Sequence, residues 1–559
     1  MKQEQMKNLK VFAITLAMLL LGFYAFFRIL AYKYVSPTNY ELIDNWDITV
    51  NGTTYHNVSL NEFEFRNLKR GDVISLSNTI PERVVGNQTM MFNTYLSSVN
   101  VILGDVSIYQ YAMKRDEADD IIGSGCHFVI IPRNSSGKTF HINLTARENN
   151  AFTNMETITF VPTTHAYSYY TLKKASTIFI SFFLVILGII LSIVGAIILF
   201  SNSHNFQLTY IGLFSFFMGM WSMCNVKVLQ IFNINLSSCA SVEYLSLFAS
   251  TIPLTMLLSA VRKDYTPRSR LAMRGIALVF TIFVVITSFL HFTKIVHYSQ
   301  VLSIFHMLVG MSLLVFAIVN LRNHRKKTTA EIAMSLGFIV LCLSFAADLI
   351  RFNVQKYLMP NNPKLYDSFI PIGTLIFIIL LLYSFSQSTL TMIHDKAEQE
   401  LLSYIAYHDD LCKIYNRAMC DKEFERLDTS DENYSLVNLD LNGLKAINDR
   451  MGHAAGDKLL VSFANILTKA FENIGTCYRM GGDEFIVIVP ESGTPFISNC
   501  IERMEILEKE GSKELDYPIE ASYGIASRNE VPECTAAKVN SLADSRMYEM
   551  KVLAHKNRK

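Results

Sequence analysis

The sequence predicts a multidomain membrane protein. Its parts are an amino-terminal transmembrane helix, an all-β extracytoplasmic sandwich, a seven-helix transmembrane bundle and an α+β domain built on an antiparallel sheet. Composition gives the first sign: half of the 559 residues are hydrophobic and 18% are charged, against roughly 25% charged in an average soluble domain. Charge is also unevenly spread. Residues 170–390 carry 16 Lys/Arg and 5 Asp/Glu, whereas residues 401–559 carry 19 Lys/Arg and 26 Asp/Glu. The formal net charge of +1 therefore describes neither part. An acidic soluble domain argues against nucleic acid as a partner, because duplex binding needs a basic face to displace counterions.

A bilayer core of about 30 Å needs roughly 20 apolar residues as helix, since lipid cannot satisfy bare backbone groups. Eight stretches qualify: approximately Val11 to Ala31, Thr177 to Phe200, Leu208 to Val228, Val242 to Val261, Gly275 to Phe292, Val301 to Leu321, Ile332 to Ile350 and Phe369 to Phe385. The first follows Lys2, Lys7 and Lys10 and is read as a retained anchor over residues 11–31, with cleavage as a signal peptide the alternative. Lys and Arg are retained on the cytoplasmic side during insertion. That rule places the loops holding Arg262, Lys263, Arg268 and Arg270, then Arg322, Arg325, Lys326 and Lys327, inside with the amino terminus. The lipid bilayer is thus an expected partner. The seven later helices occupy 177–385, and the chain ends in the cytoplasm.

Nine cysteines form no CxxC pair, so neither a zinc site nor a disulfide framework follows. Only Cys126 lies in the segment placed outside, and a bridge to Cys239 stays open. Glu243, Asp348 and Arg351 are ionisable residues in or near spans, candidates for internal pairing or ligand contact. Asp348 and Arg351, three apart on one helix face, can neutralise each other.

Residues 36–169 are polar and read as short strands: Trp46 to Val50, a tight turn at Asn51-Gly52, Val73 to Ser77, Val99 to Leu103, His127 to Ile131 and Phe140 to Leu144. An all-β sandwich fits this spacing. The layout, with pieces such as Leu68-Lys-Arg-Gly-Asp-Val-Ile-Ser-Leu76, resembles bacterial seven-transmembrane receptors that carry a jelly-roll-like outer module and a cytoplasmic output domain. That resemblance implies a multi-pass protein of the bacterial inner membrane that senses an unknown extracytoplasmic ligand, a carbohydrate or small metabolite. The alternative is a spacer or assembly domain. Over 386–407, Leu390, Ile393, Ala397, Leu401 and Tyr404 fall three or four apart and give a helix one apolar stripe. Such a stripe would pair two chains, or lie on its own domain.

The sharpest chemical signal is Arg479-Met-Gly-Gly-Asp-Glu-Phe485. Strand-like runs flank it, so Gly481 and Gly482 fall in a hairpin turn where backbone can approach a phosphate. Asp483 and Glu484 add two carboxylates. Tyr434 to Asp440 reads as a buried strand ending in a third, followed by LNGLKAINDRMGHAAGD and an apolar helix from Lys458 to Phe471. Carboxylates gathered at adjacent strand ends suit Mg²⁺, the ion that shields triphosphates.

At these residues the chain resembles the GGDEF family, the diguanylate cyclases, over approximately 407–556. His408 to Arg417 is similar to the family's D-x-L-T-G-L-x-N-R opening, and Asp440 to Asp449 to its D-x-D-x-F-K-x-I-N-D. Gly452 to Asp457 resembles G-H-x-x-G-D, and Leu542 to Lys551 the closing A-D-x-x-x-Y-x-x-K helix. The resemblance implies a GGDEF domain over 408–559 with a fold like nucleotide cyclases and polymerase palms. It implies condensation of two GTP into cyclic di-GMP and pyrophosphate by a homodimer joined through the linker and this domain. By matched position, Asp440, the Leu441 carbonyl and Asp483 would hold Mg²⁺ or Mn²⁺, with Glu484 completing the metal site or taking the proton of the 3′ hydroxyl. Asn448 and Asp457 would read guanine, Gly481 and Gly482 would pass the phosphates, and Lys551 would neutralise the terminal phosphates.

The chain departs from the family pattern in places. Cys412 and Lys413 replace the usual threonine and glycine, and Asn442 a second aspartate. His555 or Lys556 falls near the place of a terminal arginine. The R-x-x-D of the product-inhibition site is replaced by Glu472-Asn-Ile-Gly475, so feedback through that site is not expected. The competing functions are a degenerate domain that binds GTP or cyclic di-GMP and signals by contact, and a transporter, for which the paired, interrupted helices are lacking.

Overall fold

The computed structural model describes residues 39–557 together with Gly22, Ala25 and Ile29, apart from positions 66, 85, 114–121, 150, 153–154, 201–205, 233, 262–265, 322–327, 358–367 and 532–534. The expected anchor at 11–31 lies almost wholly outside the described residues. So do the basic loop residues Arg262, Lys263, Arg322, Arg325, Lys326 and Lys327. The chain divides into two units, Met1–Thr389 and Leu390–Lys559.

The first unit begins with ten strands: β1 (Tyr40–Leu42), β2 (Trp46–Val50), β3 (Thr53–Val58), β4 (Val73–Thr79), β5 (Gln88–Thr94), β6 (Ser97–Leu103), β7 (Val106–Tyr111), β8 (Gly125–Ile131), β9 (Thr139–Ala146) and β10 (Ile158–Pro162). They form a four-stranded sheet in the order β1-β10-β5-β8 and a six-stranded sheet in the order β3-β2-β4-β9-β6-β7. Every pairing in the two sheets is antiparallel. Alternation in β4 and β9 buries every second side chain, as a period of two requires. Trp46, Ile74, Leu76, Phe140 and Ile142 of the larger sheet and Met90, Phe92, Val129 and Phe160 of the smaller share one core. Trp46 meets Phe140 edge to face at 5.7 Å between ring centroids, a favoured aromatic geometry.

Helices follow: α1 (Ala166–Lys173), α2 (Ala175–Phe200), α3 (Gln207–Asn225), α4 (Leu236–Val261), α5 (Pro267–Phe292), α6 (Tyr298–Leu321), α7 (Thr329–Tyr357) and α8 (Ile370–Tyr407). Among the described residues six helices, α2 and α4 to α8, are long and apolar enough to cross a membrane. The remaining long one, α3, spends polar side chains on its neighbours. Ser222 accepts from Ser181 at 2.7 Å, Ser215 donates to the Leu184 carbonyl at 2.8 Å, and Gln207 donates to the Ala260 carbonyl at 3.2 Å. Exposed Leu278, Ile282, Val285 and Phe289 on α5 form the kind of apolar surface that a bilayer covers.

Helix α5 begins eight residues before the expected Gly275. Thr266 caps it by accepting the Ser269 N–H at 3.2 Å, and Pro267 takes the first helical position, where its missing N–H costs nothing. Thr328 and Glu331 cap α7 reciprocally, in the capping-box manner. Cys126 and Cys239 are both free thiols.

Of the three ionisable residues singled out, Glu243 pairs with Lys227 at 2.6 Å. Asp348 pairs with Arg351 at 3.0 Å. Asp348 also accepts from the Ser368 hydroxyl and from the N–H groups of Phe369 and Ile370 at 3.0 and 3.2 Å. It therefore caps the amino end of α8.

The second unit contains the end of α8, then β11 (Tyr415–Asn416), α9 (Arg417–Asp428), β12 (Tyr434–Leu441), α10 (Leu444–Met451), α11 (His453–Ala470), β13 (Thr476–Gly481), β14 (Glu484–Pro490), α12 (Ile497–Leu515), β15 (Ala521–Ser527) and α13 (Ala536–Asn557). Its sheet runs β11-β13-β14-β12-β15. All eight residues of β12 are buried, because helices cover both faces. On one face Val437, Leu439, Phe463, Leu467 and Met504 form a core, and on the other Leu436, Ile486, Ala536 and Ala543 form a second.

Candidate active site

Side chains at Leu436, Asn438 and Asp440 share the face of β12 that α13 covers, since alternate strand residues point the same way. Asp440 lies opposite Glu484 on β14 and opposite Ser522 on β15. Residues directly opposed in an antiparallel pair hold their Cβ atoms about 5 Å apart on one face. The next ladder bond runs from the Leu441 N–H to the Asp483 carbonyl at 2.9 Å. Asp440, Leu441, Asp483 and Glu484 are thus brought to one end of two neighbouring central strands.

The turn between those strands is built on its glycines. Gly481 and Gly482 have φ of 138° and 57°, in the region that side chains disfavour. A bulge falls between Arg479 and Gly481. Arg479 then ties the turn down, donating to the Gly482 carbonyl from Nε at 3.2 Å and Nη2 at 2.8 Å. Its Nη1 reaches both oxygens of Asp409 at 3.1 and 3.2 Å. Burial pushes the Asp409 carboxyl up, but the Cys412 N–H, the Arg479 charge and the Leu411 N–H outweigh it and hold the group below its ordinary value. Sequence reasoning assigned no role to Arg479 or Asp409. The signal lay in an arginine two residues before a glycine pair.

Lys551 reaches the strand end from α13. Gly524 on β15 makes this possible: a Cβ there would stand 2.1 Å from the Ala543 carbonyl and 2.3 Å from the Met547 nitrogen, so α13 lies directly on the sheet. Asn438 donates to Asn540 Oδ1 at 3.0 Å and secures the same contact. One turn beyond Met547, Lys551 Nζ meets Asp440 Oδ1 at 2.7 Å. The two residues are far apart in sequence and in this structure neutralise each other. Among the described residues no three His, Cys, Asp or Glu side chains lie close enough together to hold a metal ion.

Asn448 on α10 and Asp457 on α11 sit on two helices that pack together. Asn448 Oδ1 is buried and has no hydrogen-bond partner. Gly456, beside Asp457, leaves that oxygen room, for a Cβ there would lie 2.0 Å away. Asp457 is exposed. Asn442, at the place of the family's second aspartate, turns to β15 and donates to Ser522 Oγ at 3.2 Å. The side chains of His555 and Lys556 lie outside the described part.

Four strands pair antiparallel and the short β11 lies parallel to β13; this sheet gathers carboxylates at its central strand ends beside a glycine turn and a lysine from the last helix. Residues 406–558 match the family model described as "Diguanylate cyclase, GGDEF domain", and this part of the chain is a GGDEF domain. The chain is 37% identical over 94 residues to the probable diguanylate cyclase DgcE of Escherichia coli, covering 16% of this chain and 8% of that one. It is 28% identical over 155 residues to the diguanylate cyclase VdcA of Vibrio cholerae, covering 26% and 45%. The chain thus spans less than half the length of these curated relatives. Among solved structures, the coiled coil and GGDEF domain of DgcB from Caulobacter crescentus, in complex with c-di-GMP, is 24% identical, covers 31% of this chain and 94% of that one, and has a TM-score of 0.28.

Proposed function

We propose that the chain is a membrane-bound sensor diguanylate cyclase that condenses two GTP into cyclic di-GMP with release of two pyrophosphates. The observation that carries this reading is the opposition of Asp440 and Glu484 at the strand end, with Lys551 on Asp440. A pure binding module has no need to collect two carboxylates against one lysine beside a glycine turn.

The donors are carboxylates and a backbone carbonyl, the hard oxygen type that Mg²⁺ selects, although in this structure no three of the carboxylates are gathered closely enough to hold it. Asp440, the Leu441 carbonyl, Asp483 and Glu484 would hold it, and it would neutralise triphosphate charge. Asn448 Oδ1 accepts from guanine, a role its lack of a protein partner leaves open, and Asp457 accepts from the second guanine donor. Gly481 and Gly482 let the phosphates lie against the turn. Lys551 moves from Asp440 to the terminal phosphates, where a compact ammonium serves as a point charge. Glu484 takes the proton of a 3′ hydroxyl. That oxygen bonds to the α-phosphorus of the facing GTP as the bond to pyrophosphate breaks, and a second such step closes the ring. Each domain holds one GTP, so two chains must face each other, and catalysis is mostly positioning.

The strand region is read as a jelly-roll-like sandwich sensor outside the cell, and the helices as a seven-helix bundle in a bacterial inner membrane, with α8 passing the signal to the paired domains. The test is incubation of the detergent-solubilised chain with GTP and Mg²⁺, followed by chromatographic analysis of products. Cyclic di-GMP is expected, and Glu484→Ala should lower its formation at least about 100-fold. Bound GTP without product would instead support the binding module.

A further inference from the structure

The turn from α5 to α6 brings two histidines together. His291 lies in the last turn of α5, and His297 directly precedes Tyr298, the first residue of α6. Backbone bonds fix the chain between them: the Lys294 N–H donates to the His291 carbonyl at 3.1 Å, the Ile295 N–H to the Leu290 carbonyl at 3.0 Å and the Gln300 N–H to the His297 carbonyl at 3.1 Å. The His291 ring is fixed as well. It stacks on Tyr298 at 4.1 Å between centroids, and the Tyr298 hydroxyl is engaged with Ser288 Oγ at 2.8 Å.

Hydrogen bonding also sets which nitrogen of the neutral His291 ring carries the proton. Ser241 on α4 donates its one hydroxyl proton to the Ser237 carbonyl at 3.1 Å. Its oxygen stands 2.9 Å from His291 Nε2 and can only accept there, so Nε2 holds the N–H and Nδ1 is a bare lone pair. That Nδ1 is buried and has no hydrogen-bond partner, and the same is true of His297 Nδ1. His291 as a whole is 7% exposed. Buried polar atoms left unsatisfied are costly, which points to a ligand for both nitrogens.

The spacing of the rings identifies its chemistry. A nitrogen bound to a metal at about 2.1 Å puts its ring centroid about 3.2 Å from the ion, so two rings on one ion stand about 5.2 Å apart at the tetrahedral angle and about 6.4 Å apart when opposed. The centroids of His291 and His297 are 5.6 Å apart. Ligating histidines ordinarily donate their other N–H to a fixed acceptor, and Ser241 is that acceptor for His291. Among the described residues no third His, Cys, Asp or Glu gathers with them, which leaves the other coordination positions to water. His297 also lines a cavity of about 290 Å³, a path for the ion and its water.

We propose that His291 and His297 bind a divalent transition-metal ion of the zinc type through their Nδ1 atoms, with Ser241 as a positioning residue. Imidazole favours such ions over Mg²⁺, so this site differs in kind from the carboxylates of the second unit. An ion there ties the end of α5 to the start of α6. The binding rests on neither the cyclase nor the receptor reading.

Calorimetric titration of the full chain in detergent with ZnCl₂, and separately with MgCl₂, tests the site, in an Asp440→Asn background so that the second unit contributes little. One zinc equivalent is expected with a Kd of about 1–100 µM, as suits two protein ligands rather than three or four. His297→Gln should remove that equivalent and leave the magnesium titration unaltered. Ser241→Ala should weaken zinc at least about tenfold with the unliganded thermal midpoint unchanged, and Ser241→Thr should restore it. Absence of a zinc equivalent, its persistence in the folded His297→Gln variant, or an equal loss of magnesium binding overturns the site. Unchanged zinc affinity in Ser241→Ala overturns the positioning role. If His297→Gln fails to fold, X-ray absorption of the Asp440→Asn chain with one zinc equivalent counts its imidazoles directly: two are expected, and ligation by sulfur or by oxygen alone overturns the proposal.

Discussion

Asp348 in the first unit and Asp440 in the second are equally buried, each 8% exposed, and each pairs with one basic side chain. Their remaining valences differ. Asp348 has Arg351, the Ser368 hydroxyl and two backbone N–H groups around it, so both oxygens are spent on capping a helix. Asp440 has Lys551 on one oxygen and faces another carboxylate across the ladder. Burial of a charge is therefore no sign of function by itself. What separates structure from chemistry is whether protein groups already satisfy the charge.

The contrast predicts opposite outcomes for the two residues. Asp440→Asn should lower cyclic di-GMP formation at least about 100-fold while leaving the thermal midpoint nearly unchanged, because only Lys551 loses its partner. Asp348→Ala should destabilise the chain by about 3 kcal/mol, for it removes one member of a buried ion pair and uncaps α8. Thermal unfolding in detergent and a product assay on both variants would break the comparison if Asp348→Ala unfolded no earlier than wild type.

Glu508 on α12 is a third case, buried with no salt bridge among the described residues. Its Oε1 has no hydrogen-bond partner, and burial pushes its carboxyl from 4.5 up to about 8. The folded chain therefore keeps this group neutral where the unfolded chain ionises it. Its contribution to stability is full below about pH 4.5 and is lost as pH rises through 8. Glu508→Gln, which cannot ionise, should match wild type at pH 4.5 and exceed it at pH 8.5 by up to about 4 kcal/mol. Thermal unfolding at the two pH values measures the difference. An equal gain at both would mean that packing, not ionisation, governs the site.

The sequence made much of the second unit legible because strand periodicity and motif coincide there. Asp440, Asp483 and Glu484 fall at or beside the ends of strands that their apolar runs mark. The meeting of Lys551 with Asp440 was not legible, since it depends on Gly524 letting α13 lie on β15. The same holds for Arg479 and Asp409, whose bond links two motifs that were read separately. In the first unit, windows of apolar residues located the helices but not their ends. Thr266 and Pro267 start α5 in a polar stretch that a hydropathy window discards.

The smallest expected effect concerns Lys413, which stands where the family has glycine. The loop from Asp409 to Ile414 is closed by the Lys413 N–H on the Asp409 carbonyl at 2.9 Å and the Asp409 N–H on the Ile414 carbonyl at 2.8 Å. Asp409 Oδ1 also accepts the N–H groups of Leu411 and Cys412 at 3.1 and 2.7 Å. With the loop so fixed, Lys413 is held at φ 61°, a left-handed conformation that costs a side-chain-bearing residue about 1 kcal/mol. Its side chain is exposed, so little packing repays that cost. Lys413→Gly should relieve the strain but add freedom to the unfolded chain, for a net gain of about 0.5 kcal/mol. Lys413→Ala keeps the Cβ and the strain and should change nothing. Chemical denaturation of the two variants beside wild type separates backbone strain from loss of the lysine: equal stabilisation by both would place the effect in the side chain.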